Sequence, residues 1–235
     1  MSNDLIPADM DFTNLPSTNV VEDEVFDDMS SGGDYLSRVQ LFSKGEKVNE
    51  GLIPPGHWGI PVGEKIIDLG KTMDVLPLAR RAKALDISDR DNVIENFDPK
   101  SDEYARIAGL ATVNDSGCMV GPSILFYERS QGMFVEWFAN NTSSKIECKN
   151  LYPKLPCNAA QAEKLGCEPH GPIPTTMSIR LKKGKYSYHV PEVNNCSTPF
   201  TNLPSMDKIV KEVEKFLNPP KNEDEKVEES ATSRR

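Results

Sequence analysis

The most regular alternation of apolar and polar residues lies between Pro172 and Pro191. Here Met177, Ile179 and Leu181 alternate with polar and basic residues, which predicts a half-buried strand. Gly184 can adopt the positive φ of a tight turn, and a second extended run follows it. The stretch therefore predicts a β-hairpin, and its turn is basic.

Two further regions predict strands. Residues 35–42 alternate apolar and polar side chains and predict the first strand of the chain. Residues 124–129 and 133–139 are rich in β-branched and aromatic side chains, and residues 130–132 supply the turn of a second hairpin. Most of its aromatic rings are expected in the core, with Tyr127 or Trp137 predicted at the surface.

Two segments are harder to assign. Within residues 65–87, a helix fits residues 78–85, whereas a long strand bent at Gly70 and Pro77 fits the whole stretch; the β-rich surroundings favour the strand. Residues 51–62 are rich in proline and glycine and predict a loop, because proline disfavours helices and central strands. Trp58 is predicted to anchor this loop, and the alternative is a ring that stacks on a base.

Helical patterns occur at three places. Residues 101–108 have Ser101 as a candidate N-cap, followed by acidic residues that favour a helix start. Residues 142–151 begin with a Ser/Thr run and are followed by a proline, while residues 152–173 predict a Pro- and Cys-containing loop. Residues 205–217 predict an amphipathic helix with one apolar stripe, formed by Ile209, Val210, Val213, Phe216 and Leu217.

Together these elements predict a β-rich α+β protein, with an OB-like small barrel, a C-terminal amphipathic helix and disordered tails. The predicted order is a disordered acidic arm (1–34), the OB-like domain (35–203), the amphipathic helix (204–219) and a disordered charged tail (220–235). The OB-like assignment depends on a helix between the third and fourth strand regions, and it leaves one predicted strand over.

The acidic charge is concentrated in the first part of the chain. The net charge is −9, and residues 1–34 alone hold nine acidic and no basic residues. Residues 35–200 hold 20 basic and 19 acidic residues, and such a near-neutral body can still carry a basic groove. The arm is interpreted as a solubilising tail. The alternatives are a segment that competes for the groove, or one that docks replication or recombination proteins.

Basic and aromatic residues supply the candidate chemistry. Cationic side chains pair with phosphates and tyrosine rings stack on bases, so the basic hairpin suits single-stranded DNA; an ordinary solvated hairpin is the competing interpretation. A second basic cluster at residues 80–83 would flank the same groove in a strand and would weaken the hypothesis in a helix. The predicted DNA-binding residues are Arg80, Arg81, Lys83, Tyr127, Trp137, Arg180, Lys182, Lys183, Lys185, Tyr186 and Tyr188.

The sequence lacks the usual enzyme motifs. No GxxxxGK[ST], GxGxxG, HExxH or GxSxG pattern occurs, so we predict a protein without enzymatic activity or cofactor. The alternative to a protein without a cofactor is one that binds zinc. Its candidate ligands lack the C-x2-C pairs of structural zinc sites, which favours buried thiols. Those ligands are Cys148, Cys157, Cys167, His170 and Cys196.

Two strings of residues resemble segments of tailed-bacteriophage proteins, some of which are labelled single-stranded DNA-binding. The strings are DSGCMVGPSILFYE (residues 115–128) and KYSYHVPEVNNCSTPF (residues 185–200), and the resemblance covers roughly residues 35–203. It implies an OB-fold-like protein of phage replication or recombination. Many phage and bacterial single-strand binders end in acidic residues, whereas this sequence ends Ser-Arg-Arg. The resemblance therefore does not predict partner recruitment through the last residues.

The favoured hypothesis is a binder of single-stranded DNA with little sequence preference. The alternative is a phage structural or scaffolding protein that uses the acidic arm and the terminal helix for assembly; a homo-oligomer is left open. No apolar run approaches the ~18 residues of a membrane span, and the acidic start lacks the apolar core of a secretory signal. With an odd, widely spaced set of cysteines, we expect a cytoplasmic protein with reduced thiols, in the host cytoplasm if phage-encoded.

Overall fold

The computed structural model describes residues 5–7, 10–12, 15–16, 36–89, 91–183 and 187–219. The strands are β1 (Ser37–Phe42), β2 (His57–Val62), β3 (Lys65–Gly70), β4 (Met73–Asp86), β5 (Ile94–Asn96), β6 (Cys118–Glu128), β7 (Met133–Phe138), β8 (Thr175–Lys182) and β9 (Tyr188–Asn195). The helices are α1 (Glu46–Asn49), α2 (Asp102–Leu110), α3 (Thr142–Lys149), α4 (Ala159–Leu165) and α5 (Met206–Leu217), with a 3-10 turn at Tyr152–Lys154. The described helices are too short or too polar to span a bilayer.

The strands form one strongly curled, half-barrel sheet in a mixed α+β fold. Its order is β3-β2-β1-β7-β6-β4-β8-β9, and β5 pairs with β4. β1 and β7 are parallel, whereas the other described pairs are antiparallel. The prediction of a β-rich α+β protein is therefore confirmed. The OB-like assignment is more specific than this architecture and remains a prediction.

Strand β4 organises the sheet. It is 14 residues long and pairs with β6 along most of its length. Its other edge pairs with β8 at the start of the strand and with β5 at the end. Residues 78–85 therefore lie in a strand and not in a helix, as predicted. The predicted single strand is wrong at Gly70, where β3 ends with a φ of 79° and the chain turns into the separate strand β4, whereas the bend predicted at Pro77 is present as a register shift between Pro77 and Ala79.

Both faces of the sheet are covered, because alternate side chains of the β6–β7 hairpin enter different cores. Ile124 and Phe126 enter the first core, which also contains Trp58 and Trp137. Leu125 and Tyr127 enter the second core, where the apolar stripe of α5 packs on the sheet through Ile209, Val213 and Phe216. A sheet with two apolar faces requires this kind of two-sided cover. The predicted amphipathic helix is confirmed as α5.

The predicted loop over residues 51–62 is wrong at its end, because β2 lies there. Trp58 and Ile60 point into the first core and are fully buried. Gly59 lies between them where a Cβ would come within 2.6 Å of the Ile53 side chain, so this glycine permits close packing inside a strand. Trp58 is thus buried, and its ring does not face a ligand surface.

The predicted helices α2 and α3 are present, whereas the short helix α1 and helix α4 were not predicted. The Ser101 hydroxyl accepts a hydrogen bond from the Tyr104 backbone N–H at 3.1 Å and caps α2, as expected. Asn141, rather than a serine or threonine, caps α3. Helix α4 lies inside the predicted loop of residues 152–173. A capping box between Asn158 and Gln161 starts it, so the loop prediction is wrong there.

Part of the acidic arm packs against the body. Phe12 and Leu15 are buried in the second core, and the Leu5 carbonyl accepts a hydrogen bond from the Phe200 N–H at 2.8 Å. The prediction of a disordered arm does not hold for these residues, because their apolar side chains pack in the same core as α5. Most of residues 1–34, and the whole tail 220–235, lie outside the described residues.

Candidate nucleic-acid interface

The basic hairpin is formed by β8 and β9. Their register pairs Lys182 with Tyr188, and the Lys182 ammonium lies 5.9 Å from the centre of the Tyr188 ring. Lys182 and Lys183 are exposed, and Tyr188 is half-buried. Lys185 and Tyr186, which were predicted to bind DNA, lie outside the described residues. The described part of the hairpin thus presents two exposed lysines beside one tyrosine ring.

Arg180 adds a third cation to the hairpin. Its side chain is 60% exposed, and its guanidinium lies 4.0 Å from Glu147 and 3.9 Å from Glu192. Such long, solvated ion pairs contribute little energy and are readily exchanged for other anions. Within the described part of the chain, Lys182 and Lys183 form no ion pair with a carboxylate.

The other side of β9 touches the connection between β1 and β2. The His189 backbone N–H donates to the Ser43 hydroxyl at 3.0 Å, and a Cβ on Gly56 would lie 2.7 Å from the His189 ring. This contact places Lys44 next to the hairpin. Lys44 and Lys47 line a shallow hollow of about 250 Å³. Sequence patterns did not single out either lysine, and Lys44 comes near the hairpin only through the long-range contact of His189 with Ser43.

Arg80 does not join the hairpin cations. Its guanidinium lies 4.2 Å from the centre of the Tyr152 ring, so it stacks on the 3-10 turn that follows α3. The side chain is half-buried. Arg80 therefore packs two elements of the body together.

Arg81 and Lys83 lie in a buried ionic cluster, which we define as these two residues with Arg38, Glu95, Ser123 and Glu136. The Lys83 ammonium and one Arg81 Nη each lie 3.0 Å from a Glu136 carboxylate oxygen. The Ser123 hydroxyl donates to the same carboxylate at 2.6 Å. Arg38 forms ion pairs with Glu95 and, more distantly, with Glu136. Lys83 is 0% exposed, so the prediction that Arg81 and Lys83 flank a surface groove is wrong.

Aromatic rings and the end of α5 cover this cluster. The Arg81 guanidinium lies 3.7 Å from the Phe97 ring centre and 4.1 Å from the Phe216 ring centre. It also donates a hydrogen bond of 2.5 Å to the Phe216 carbonyl oxygen. A cation at a helix C-terminus is favourable, because the last carbonyl groups carry partial negative charge. Arg81 therefore holds α5 against the sheet.

The two aromatic residues proposed for base stacking are both buried. Trp137 packs in the first core against Trp58 and Phe126, with ring centres 6.2 Å apart in each case. Tyr127 packs on Phe134 in the second core, and its hydroxyl donates to the Asn202 carbonyl at 2.9 Å. The prediction of a surface ring at either position is wrong, because β6 and β7 are covered on both faces.

The predicted single strip of cations and rings is therefore not present in the described part of the chain. The residues that remain at the surface are Arg180, Lys182, Lys183 and Tyr188, and Lys44 follows Ser43, which contacts β9. Comparison with protein-family models, with curated proteins and with solved structures finds no match to this chain.

Cys157, Cys167 and His170 lie in one region of the fold, whereas the other two candidate zinc ligands lie apart from them. Cys148 is buried in the first core and Cys196 in the second. Cys157 and His170 are bridged through their backbones, and the His170 Nδ1 lies 2.8 Å from the Gly171 carbonyl oxygen. Among the described residues, no group of three or more His, Cys, Asp or Glu side chains is arranged to hold a metal ion.

The charges of the ionic cluster shift one another's pKa values. Burial raises the pKa of Glu136, but the charges of Lys83 and Arg81 and hydrogen bonds from Ser123 and Lys83 outweigh it and hold that pKa at about 2. Burial lowers the pKa of Lys83 to about 8, against the opposing attraction of Glu136. Glu136 is therefore ionised throughout the physiological range.

We expect Glu136→Gln to lower the free energy of unfolding by about 3 kcal/mol, because Arg81 then loses its carboxylate partner among the described residues and Lys83 keeps only Glu95, at 3.4 Å. Chemical denaturation at neutral pH measures this. Glu103→Gln is the matched control. It removes an exposed partner of Arg106, and should cost below about 1 kcal/mol. Equal effects of the two substitutions would contradict the central role of Glu136.

The same carboxylate should make stability depend on pH. Its folded-state pKa of about 2 lies below its usual value of 4.5, so its contribution is complete above pH 4.5 and is lost as the pH falls toward 2. Denaturation series over this range should therefore be steeper for the wild type than for Glu136→Gln. Parallel pH profiles would show that Glu136 is not responsible.

Amine-reactive labelling of the native protein should separate the two sets of lysines. We expect rapid modification of Lys182 and Lys183, which are exposed, and protection of Lys83, which is fully buried. Lys83 should become labelled only after denaturation. Peptide mass spectrometry reads out each site, and modification of Lys83 at the rate of Lys182 would contradict the covered cluster.

Proposed function

We propose that this protein binds single-stranded DNA through the β8–β9 hairpin, with little sequence preference, in phage DNA replication or recombination. The observation that carries the proposal is the exposure of Lys182 and Lys183, which form no ion pair with the described carboxylates. A phosphate could replace the weak partners of Arg180 at low cost. The phage setting is the one that the sequence resemblance implies.

The binding would be mainly electrostatic. Neutralising phosphates on a single strand releases counterions, with a slope of about −0.7 per phosphate in log K against log salt. Three hairpin cations therefore predict a slope near −2, and contributions from Lys44 and Lys47 would make it steeper. Only one described tyrosine, Tyr188, lies beside these cations. Limited stacking and phosphate contacts both favour binding that ignores base sequence.

The proposal uses only one property of OB folds, which is the way they bind single strands. OB folds bind single strands with basic side chains and rings on one sheet face and its loops. In this protein the corresponding surface would be the end of the β8–β9 hairpin together with the connection that carries Lys44. The buried positions of Tyr127 and Trp137 remove them from this surface. No enzymatic step and no cofactor are part of the proposal.

Fluorescence titration of labelled oligo-dT at several salt concentrations tests the proposal. We expect the double substitution Lys182→Ala and Lys183→Ala to weaken binding at low salt and to flatten the slope by about 1.4, because two phosphate contacts are lost. The matched control is Lys149→Ala with Lys164→Ala. It removes the same charge from exposed positions on α3 and α4.

Three results would contradict the proposal. The first is no binding to oligo-dT at low salt, and the second is binding that does not depend on salt. The third is an equal loss of affinity in the hairpin and control variants, which would indicate attraction to overall charge alone.

A specific observation also supports the alternative of an assembly protein. Ile87 and Val93 are exposed neighbours just beyond the β4–β5 pairing, and Leu110 and Val113 are exposed at the end of α2. Val93 and Leu110 are each next in sequence to a residue that packs against the small third core around Ile107, Ile94 and Ala111 respectively. Exposed apolar groups of this kind are common in protein interfaces. Sedimentation distinguishes the two functions: a defined oligomer that Val93→Asp disrupts, without any DNA binding, would favour assembly.

A further inference from the structure

Two cysteine thiols meet at the ends of α4. The Cys157 and Cys167 sulfur atoms are 3.8 Å apart, although 10 positions separate them in the sequence. A disulfide requires about 2.05 Å between the sulfurs, so small side-chain rotations would close the gap. The other described cysteines, Cys118, Cys148 and Cys196, are buried and lie in different cores.

The local fold holds the two thiols together. Cys157 precedes the Asn158 cap of α4, and Gly166, with a φ of 65°, turns the chain back after the helix. The Cys157 N–H donates to the His170 carbonyl at 2.8 Å, and the His170 N–H donates to the Cys157 carbonyl at 3.0 Å. The returning segment is therefore fixed against Cys157, with Cys167 beside it.

The two thiols differ in access to solvent. Cys167 is exposed, whereas Cys157 is buried. Burial and the hydrogen bond to Cys167 raise the pKa of the Cys157 thiol, so Cys157 is poorly suited to react first with a solute. An accessible thiol beside a protected partner is an arrangement typical of redox-sensitive cysteine pairs.

From this geometry we propose that Cys157 and Cys167 form a reversible disulfide that closes the α4 loop, with Cys167 as the attacking residue and Cys157 as the resolving residue. The oxidant is a low-molecular-weight disulfide of the glutathione class. The site is separate from the β8–β9 hairpin in the sequence and does not depend on DNA binding.

The chemistry is a thiol–disulfide exchange in two steps. The Cys167 thiol loses its proton and attacks one sulfur of the small disulfide, giving a mixed disulfide and one small thiolate. Cys157 then loses its proton and attacks the Cys167 sulfur, which expels the second small thiolate. Two protein thiols are oxidised to one disulfide, and the small disulfide is reduced to two thiols that take up the two protons.

Incubation of the full chain with oxidised glutathione, followed by acid quench, alkylation and peptide mass spectrometry, tests the proposal. We expect a cross-linked peptide that joins Cys157 to Cys167 and loses the mass of two hydrogen atoms. Cys118, Cys148 and Cys196 should remain thiols that alkylate only after unfolding, because they are buried. Reduction should restore both thiols.

Two serine variants separate the steps. Cys157→Ser should stop at the mixed disulfide, so Cys167 gains one glutathione, whereas Cys167→Ser should leave Cys157 unmodified in the native protein. The wild-type cross-link is measured independently of how either variant folds. Complete alkylation of both wild-type thiols after the oxidant would overturn the proposal, as would a mixed disulfide that persists in the wild type as much as in Cys157→Ser.

Discussion

The fold depends on the attraction between one buried carboxylate, that of Glu136, and the two cations Arg81 and Lys83. Both ion pairs are 3.0 Å long and lie between β4 and β7, beneath the end of α5. Removing such charges from water is costly, and the cost is offset only when every member keeps its partners. The cluster thereby links β4 to β7 across β6 and contacts the end of α5 through Arg81.

This interaction also determines which cations remain for a ligand. Arg81 and Lys83 are committed to Glu136 and to the surrounding phenylalanine rings, and Arg80 is stacked on Tyr152. The cations of the central strand β4 are therefore used in packing within the protein. Cations that could contact a polyanion must therefore lie on elements that extend beyond the sheet. Strand β8 extends beyond it, because it pairs with β4 only over Thr175–Met177.

Sequence patterns predicted the elements better than the site. The stripe of α5 follows from short-range periodicity, the hairpin around residues 130–132 from its β-branched and aromatic residues and its turn, and the strand over residues 73–86 from its β-rich surroundings. The position of Lys83 could not be predicted in this way. Alternation correctly placed Lys83 on the same face as Arg81, but only the distant pairing of β4 through β6 to β7 puts Glu136 beside them. Proline and glycine wrongly predicted a loop at β2, where Gly59 permits close packing inside a strand.

At the exposed end of the β8–β9 hairpin, the same lysines can both prevent pairing with another sheet and attract a polyanion. Beyond Met177, the edge of β8 has no partner strand among the described residues, and such an edge invites pairing with another chain. Lysines at positions 182 and 183 discourage that pairing, because two copies would bring like charges together. A flexible polyanion meets no such repulsion. The charges that keep this edge from joining another sheet are therefore the same charges through which we propose that a single nucleic-acid strand binds.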